Sequence, residues 1–92
     1  MKKQIYDYLI AEGLRPNLSG FELIGSAIEK CSEDRKHLHQ ICKLYSTLSK
    51  EYDCTPACAE RRIRRSIERS GSKLTNSEFI AYGVYDNMFS VE

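Results

Sequence analysis

Apolar residues recur at helical spacing along nearly the whole chain, and turn residues separate the resulting segments. No apolar–polar alternation of four or more residues favours a strand, and Asn-Gly or Asp-Gly hairpin signals are absent. The pattern therefore predicts an all-α fold, a compact single domain of six helices that occupies residues 1–92. The predicted helices cover residues 3–12, 20–30, 32 to about 44, 46–52, 56–70 and 75–88. Core-facing positions include Ile5, Leu9, Ile10, Phe21, Ile24, Ala27, Ile28, Leu48 and Tyr52.

Residue types that favour helix ends support several of these boundaries. Gly13 follows the first helix, where a left-handed residue commonly ends a helix. Ser19-x-x-Glu22 and Thr75-x-x-Glu78 have the spacing of a capping box, in which side chains satisfy free amides of the first turn. In the middle of the chain, Ser32 is expected to start the third helix, and the periodicity breaks near residues 44–46.

Residues 46–70 have the order of a helix-turn-helix: a short helix, a turn at Asp53-Cys54, and a longer helix. Thr55 is the expected cap of the longer helix, and Pro56 suits its first position. On a helical wheel, the small and apolar residues of this helix share one side, which can pack on the rest of the domain. They are Ala59, Ile63, Ser66, Ile67 and Ser70.

Positive charge is concentrated on this longer helix and its exit. Residues 60–73 hold six Lys or Arg against two Glu, a net charge of +4, whereas the whole chain carries only +1. The arginines spread over the side opposite the apolar stripe, as in a helix that enters the major groove of double-stranded DNA. The alternative is an ordinary solvated face, in which Glu60 and Arg64 form an ion pair at i,i+4 spacing.

The placement of these side chains predicts two kinds of DNA contact. Small residues in the first turn allow close approach to bases, and Arg61 can donate two hydrogen bonds to one guanine. Arg65, one turn later, is assigned to bases with phosphates as its alternative, and the remaining basic residues suit phosphates. The predicted base contacts are Ala57, Cys58, Arg61 and Arg65. The predicted phosphate contacts are Thr55, Arg62, Arg64, Arg69 and Lys73.

Length and composition narrow the function classes. A 92-residue chain leaves little room for an enclosed active site, so no enzyme activity, cofactor or small-molecule substrate is expected. No run reaches the roughly 18 apolar residues of a membrane span, and a signal-peptide core is missing, so a cytoplasmic location is expected. The Cys and His spacings do not match a zinc site, so no metal is expected. Cys58 lacks a sequence motif that would give it a catalytic base.

Three groups of residues, in register on separately predicted helices, carry a family resemblance. The most specific group is the run Thr75-Asn76-Ser77-Glu78-Phe79-Ile80-Ala81. The second lies across the helix-turn-helix and comprises Tyr52, Thr55, Glu60, Arg61, Ile63, Arg64, Ile67 and Glu68. The third comprises Gly13, Leu14, Leu18, Gly20, Phe21, Ala27 and Ile28. Together they make the chain similar to the DNA-binding effector domain of the master response regulator of sporulation initiation.

The resemblance implies a six-helix domain that regulates transcription by binding short promoter boxes. It further implies tandem or homodimeric binding on DNA and contact with RNA polymerase. Carried over by position, it assigns base contacts to Cys58, Glu60 and Arg61, with Arg64 and Arg65 toward the DNA backbone.

The sequence departs from the family pattern at three points. Cys58 stands where the family usually has Arg, so the preferred DNA box is expected to differ. The connection between the last two helices is shorter, which puts the family's dimer contacts in doubt. The 92 residues include no phosphoacceptor domain, so they are either an excised domain or a stand-alone protein that phosphorylation cannot gate directly.

A second hypothesis is a protein-interaction module without DNA binding of its own. It would act on RNA polymerase or on a full-length regulator, through the acidic and aromatic C-terminal stretch. The residues concerned are Tyr82, Tyr85, Asp86, Phe89 and Glu92. The simpler expectation is that Tyr82, Tyr85 and Phe89 pack the last helix against the core.

Overall fold

The protein is all-helical over residues 1–89, the part of the chain that the computed structural model describes. Five α-helices and one short 3-10 helix make up this part, and none of its residues forms a strand. The elements are α1 (Lys3–Ala11), α2 (Phe21–Glu33), the 3-10 helix (Arg35–His39), α3 (Ile41–Glu51), α4 (Pro56–Arg69) and α5 (Asn76–Phe89). The prediction of an all-α fold is confirmed, while the count of six α-helices is not.

Helix α2 lies at the centre of the domain and packs against each of the other four α-helices. Its sequence explains this position, because apolar residues cover more than one face of the helix rather than a single stripe. Ile5 and Leu9 from α1, Leu44 and Leu48 from α3, and Phe79 from α5 close around it. The result is one contiguous core that draws buried residues from every α-helix.

The predicted boundary at Ser32 is wrong, because α2 continues to Glu33. Cys31 is fully buried and extends the apolar stripe of Ala27 and Ile28 by another turn, so the helix gains by continuing. The cap lies two residues later, where the Asp34 carboxylate accepts the Lys36 amide hydrogen at 3.0 Å and starts the 3-10 helix.

The periodicity break predicted near residues 44–46 is also wrong. Helix α3 runs without interruption from Ile41 to Glu51, and Leu44 and Leu48, one turn apart, are both fully buried. The third and fourth predicted helices are therefore replaced by the 3-10 helix and α3. The 3-10 helix has no buried residue, so the apolar pattern of this segment does not mark where one helix ends and the next begins.

Two predicted helix ends are confirmed. Gly13 has a φ of +93°, and its amide donates to Ile10 while the Leu14 amide donates to Leu9, each at 3.0 Å. At the start of α5, the Thr75 hydroxyl accepts the Glu78 amide hydrogen at 3.2 Å. The Glu78 carboxylate accepts the Thr75 amide hydrogen at 3.0 Å, which completes the capping box.

The capping box predicted at Ser19 and Glu22 does not form. The residue before α2 is Gly20, in a helical conformation, and no side chain caps the helix there. One core prediction also fails, since Ile10 is 41% exposed on the outer side of α1. Gly20 instead serves a packing role against α4, described below.

Candidate nucleic-acid interface

The start of α4 is built as the sequence predicts. The Thr55 hydroxyl accepts the Cys58 amide hydrogen at 3.1 Å, and Pro56 occupies the first helical position. Ala57 is exposed and Cys58 half-buried, so the first turn presents small side chains to solvent. The turn that precedes α4 contains Asp53, whose φ of +51° reverses the chain after α3.

One face of α4 is locked into the core. Ala59, Ile63, Ser66 and Ile67 are all buried, as predicted, and α4 packs against α2, α3 and α5. Ser70, placed on the same side by the helical wheel, is half-buried at the end of the helix. The orientation of α4 is therefore fixed from behind, which leaves the arginines on its outer side.

Three charged residues on that outer side form ion pairs with one another; we call Glu60, Arg64 and Glu68 the paired row. Arg64 Nη1 lies 2.7 and 2.9 Å from the two Glu60 carboxylate oxygens, and Arg64 Nε lies 3.9 Å from Glu68 Oε1. The shorter contact is the one with Glu on the N-terminal side of Arg, the favoured order along a helix. The predicted Glu60–Arg64 ion pair is thus confirmed, and the Glu60 carboxylate is engaged.

The paired row is tied to the neighbouring helices by the side chain of Asn76. Its amide nitrogen donates to the Tyr45 hydroxyl at 3.0 Å and to the Glu60 carbonyl oxygen at 3.3 Å. Burial raises the pKa of Tyr45 above its ordinary value, so the hydroxyl stays protonated at neutral pH. One amide therefore joins α3, α4 and the first turn of α5 beside the paired row.

The adjacent row on α4 has the opposite character; we call Arg61, Arg65 and Arg69 the open row. All three side chains are exposed, and no ion pair among residues 1–89 involves any of them. The residues are spaced i,i+4, so each repels the next, by about 0.2–0.5 kcal/mol for such a pair. Half-buried Arg62 lies on the same side as the open row.

The loop between α1 and α2 lies directly beside the open row. Two adjoining surface clefts separate them, one lined by Gly13, Arg15, Asn17, Leu18 and Arg69. The other is lined by Asn17, Leu18, Ser19, Arg65, Ser66 and Arg69. Arg15 therefore lines the same cleft as Arg69 of α4, which is more than 50 residues away in sequence.

Two glycines hold this loop against α4. A Cβ at Gly20 would lie 2.3 Å from both the Arg62 carbonyl oxygen and the Ser66 hydroxyl oxygen, so only glycine permits the contact. A Cβ at Gly13 would lie 3.2 Å from the Ser70 carbonyl oxygen, and its positive φ also favours glycine. The loop thus contacts α4 at both of its ends.

The predicted site residues fall into four environments. Ala57, Arg61, Arg65 and Arg69 form an exposed strip along α4, with Thr55 at its start. Glu60 and Arg64 face each other in the paired row, while Cys58 and Arg62 are half-buried. Lys73 is exposed in the connection to α5. Arg15 was not among the predicted site residues, although it lies beside α4; the glycines at 13 and 20 were the available signal.

The four cysteines of the chain are all free. Cys31 is buried, and burial together with the nearby charge of Asp34 raises its pKa to about 11, which keeps it protonated. No group of three or more His, Cys, Asp or Glu side chains in this part of the chain is arranged to hold a metal ion. Nor is any helix described there long and apolar enough to cross a membrane.

Comparison with known proteins gives one result that bears on function. A search of curated proteins found no match. A family model matches residues 5–72, which contain most of α1 and all of α2 to α4, and so both the open row and the glycine-bounded loop. The family is a DNA-binding effector domain of a response regulator in sporulation and is regulatory rather than enzymatic. The chain belongs to this family, described as Sporulation initiation factor Spo0A C terminal.

Proposed function

We propose that the chain is a sequence-specific regulator of transcription in which α3, the following turn and α4 act as a helix-turn-helix. In this proposal α4 lies in the major groove of double-stranded DNA and residues 1–92 act as one domain. The observation that carries the proposal is the division of α4 into a buried apolar face and an exposed open row. A helix fixed from behind presents its arginines to DNA without losing its own packing.

The proposed contacts follow from position along α4. Near the capped first turn, Ala57 and Cys58 permit close approach, and Arg61 donates to guanine O6 and N7. Arg65 extends the base contacts toward the middle of the helix. Thr55, Arg62, Arg64, Arg69 and Lys73 are the proposed phosphate contacts.

Glu60 and Arg64 can contact DNA only if their ion pair is weakened, because each already binds the other in the paired row. A base contact by Glu60 requires its carboxylate to leave Arg64. A phosphate contact by Arg64 must be shared with Glu60 or must replace it. We therefore rank both below Arg61 and Arg69 in their expected effect on DNA binding.

Binding by two copies, as a homodimer or on tandem boxes, is part of the proposal, as is contact with RNA polymerase. A single helix-turn-helix contacts few base pairs, so a second copy is the usual route to useful specificity.

One observation favours a second candidate function, a protein-interaction module. Tyr82, Tyr85 and Phe89 were expected to pack α5, yet they are 59%, 45% and 70% exposed. The rings of Tyr85 and Phe89 stack on each other with their centroids 6.1 Å apart. Asp86 is exposed on the same helix, and Glu92, named with them, lies outside the described residues. This surface is suited to a protein partner such as RNA polymerase and is compatible with DNA binding by α4.

The test is a fluorescence anisotropy titration against a duplex with two tandem copies of the family's box and against a scrambled duplex, at two salt concentrations. Arg61→Ala is expected to lower affinity for the box by about 1–3 kcal/mol and to relax preference at one base pair. Arg69→Ala should weaken binding to both duplexes alike and lower the slope of log K against log salt by about 0.9. Arg35→Ala, an exposed arginine of the 3-10 helix, is the matched control.

The possible outcomes separate the two candidate functions. Tight binding to the box, lost selectively in Arg61→Ala, supports the helix-turn-helix. Unchanged affinity and base preference in Arg61→Ala would contradict the proposed docking of α4. If the wild-type chain bound neither duplex but retained RNA polymerase or a full-length regulator in a pull-down, the interaction module would replace DNA binding as the function.

A further inference from the structure

We propose that the cleft between the α1–α2 loop and the open row binds a backbone phosphate of the DNA duplex, with Arg15 as a principal contact. This inference rests on the proposed DNA binding and adds a second binding element to it. The cleft is the two adjoining clefts taken together, since Asn17, Leu18 and Arg69 line both of them. Arg15, Asn17 and Ser19 line it from the loop, and Arg65 and Arg69 line it from α4. All five are exposed, so a ligand as large as a duplex can approach them.

The cleft collects positive charge that the protein itself does not neutralise. Arg15 and Arg69 line one of the two adjoining clefts, Arg65 and Arg69 line the other, and within residues 1–89 none of the three takes part in an ion pair. The acid next to Arg69 in sequence, Glu68, is directed toward Arg64 instead. Guanidinium groups without a carboxylate partner are stabilised by a bound anion, and guanidinium–phosphate hydrogen bonds are among the stronger ones in proteins.

The cleft is also held in shape before any ligand arrives. The Leu18 amide donates to the Arg15 carbonyl oxygen at 3.0 Å and closes the loop into a turn. Leu14 is 2% exposed and anchors the start of the loop in the core, while Gly20 fixes the end of the loop on α4. Because the backbone that carries Arg15 is already ordered, binding costs less conformational entropy than it would on a free loop.

A duplex phosphate is favoured over a small free anion by the position of the cleft along α4. Arg69 lies two turns beyond Arg61, about 12 Å along the helix axis. The major groove of B-DNA is also about 12 Å wide. When the first turn of α4 contacts bases, the end of the helix and the adjoining loop lie where the backbone borders the groove. The cleft is therefore continuous with the proposed DNA-binding surface.

The test compares Arg15→Ala with Arg35→Ala in the salt series used for the proposed function. Arg15→Ala is expected to weaken the box and the scrambled duplex by the same factor and to lower the salt slope by about 0.9. Between 50 and 200 mM salt, its affinity should then fall about threefold less than that of the wild type. Arg15→Lys should keep most of the slope, and Arg35→Ala should leave it unchanged.

Three results would overturn the inference. If Arg15→Ala matched Arg35→Ala while Arg61→Ala still relaxed base preference, the cleft would carry no phosphate although α4 docks as proposed. In the second result, NMR shift changes of the amides of residues 13–20 saturate at millimolar inorganic phosphate, and Arg15→Ala leaves the salt slope of DNA binding unchanged. The cleft would then bind a free anion and not a phosphate of the duplex. If the wild-type chain bound no DNA at all, both proposals would fail together. Thermal unfolding of each variant shows whether the fold is retained.

Discussion

The paired row and the open row lie side by side on α4, with the same spacing, yet their charges are in different states. In the paired row, Arg64 has Glu60 one turn before it and Glu68 one turn after it. In the open row, Arg65 has Arg61 and Arg69 at the equivalent positions. A shift of a single residue along the helix therefore separates an arginine held by two carboxylates from one whose neighbours a turn away are both arginines.

The number of arginines on a helix therefore does not measure how strongly the helix can bind DNA. A guanidinium that already bonds a carboxylate has fewer free N–H donors, and less uncompensated charge, to offer a phosphate. Repulsion within the open row lowers the stability of the free helix slightly, and this cost is removed when phosphates bind. The capacity for DNA is therefore expected along Arg61, Arg65 and Arg69 rather than over the whole helix.

The largest expected effect concerns the support of the open row by the loop at Gly20. Gly20→Ala places a methyl group against the Arg62 carbonyl oxygen, which belongs to the backbone and cannot rotate away. We expect the free energy of unfolding to fall by about 1–3 kcal/mol, as in other overpacked sites. Urea unfolding measures it. Ser19→Ala is the control, because Ser19 is exposed and caps no helix, and a change below about 0.5 kcal/mol is expected.

Equal stability of the Gly20→Ala variant and the wild type would show that the loop can move away from α4 freely. In that case the loop would not be a fixed neighbour of the open row. The two rows would then differ only in the charged residues of α4 itself.

A smaller effect is expected from weakening the paired row. Glu60→Gln removes the nearer of the two carboxylates that contact Arg64 and leaves Glu68, so Arg64 becomes more available to phosphates. We expect tighter binding to the scrambled duplex and a salt slope steeper by up to about 0.9. Anisotropy titration measures both, and Glu33→Gln, an exposed acid at the end of α2, is the control for net charge. Weaker binding confined to the box would instead indicate that Glu60 contacts a base.

The smallest effect concerns the capping box that positions Asn76 beside the paired row. Hydrogen bonds from Thr75, first from its backbone amide and then from its side chain, lower the pKa of Glu78 below its ordinary value. The carboxylate therefore stabilises the fold above its unfolded pKa, and this contribution is lost as pH falls through the folded pKa. The stability advantage of the wild type over Glu78→Gln should be largest at neutral pH and shrink below about pH 4.

Urea midpoints of the two proteins between pH 7 and pH 3 give this comparison directly. An advantage that stayed constant over the whole range would mean that the charge of Glu78 does not contribute and that the box acts through its shape alone.

The sequence allowed α4 to be predicted well because the information is local. Thr55 and Pro56 mark its start, and the buried set from Ala59 to Ile67 follows from helical periodicity alone. The Glu60–Arg64 ion pair is local in the same sense, since i,i+4 spacing is enough to predict it.

The failures have a common physical cause, which is contact between residues distant in sequence. Ser19 has the residue type of a helix cap, but Gly20 is required where the loop meets Arg62 and Ser66, and this contact decides the conformation. Arg15 carried no local signal, because its importance comes from lying beside Arg69. Ser32 also has the residue type of a helix cap, but α2 continues past it because Cys31 is buried in the core. The helix-turn-helix role and the DNA contacts remain predictions.

The contact of the glycine-bounded loop with α4 also bears on how folding and binding depend on each other. It closes a chain segment that runs from the first helix to the fourth, and the proposed cleft lies across that closure. A duplex bound there would contact both ends of the segment, and it would find this arrangement only in the folded chain. By mass action, its presence would raise the melting temperature in proportion to the logarithm of DNA concentration. A peptide with the sequence of α4 alone would keep the open row but would lack the loop side of the cleft.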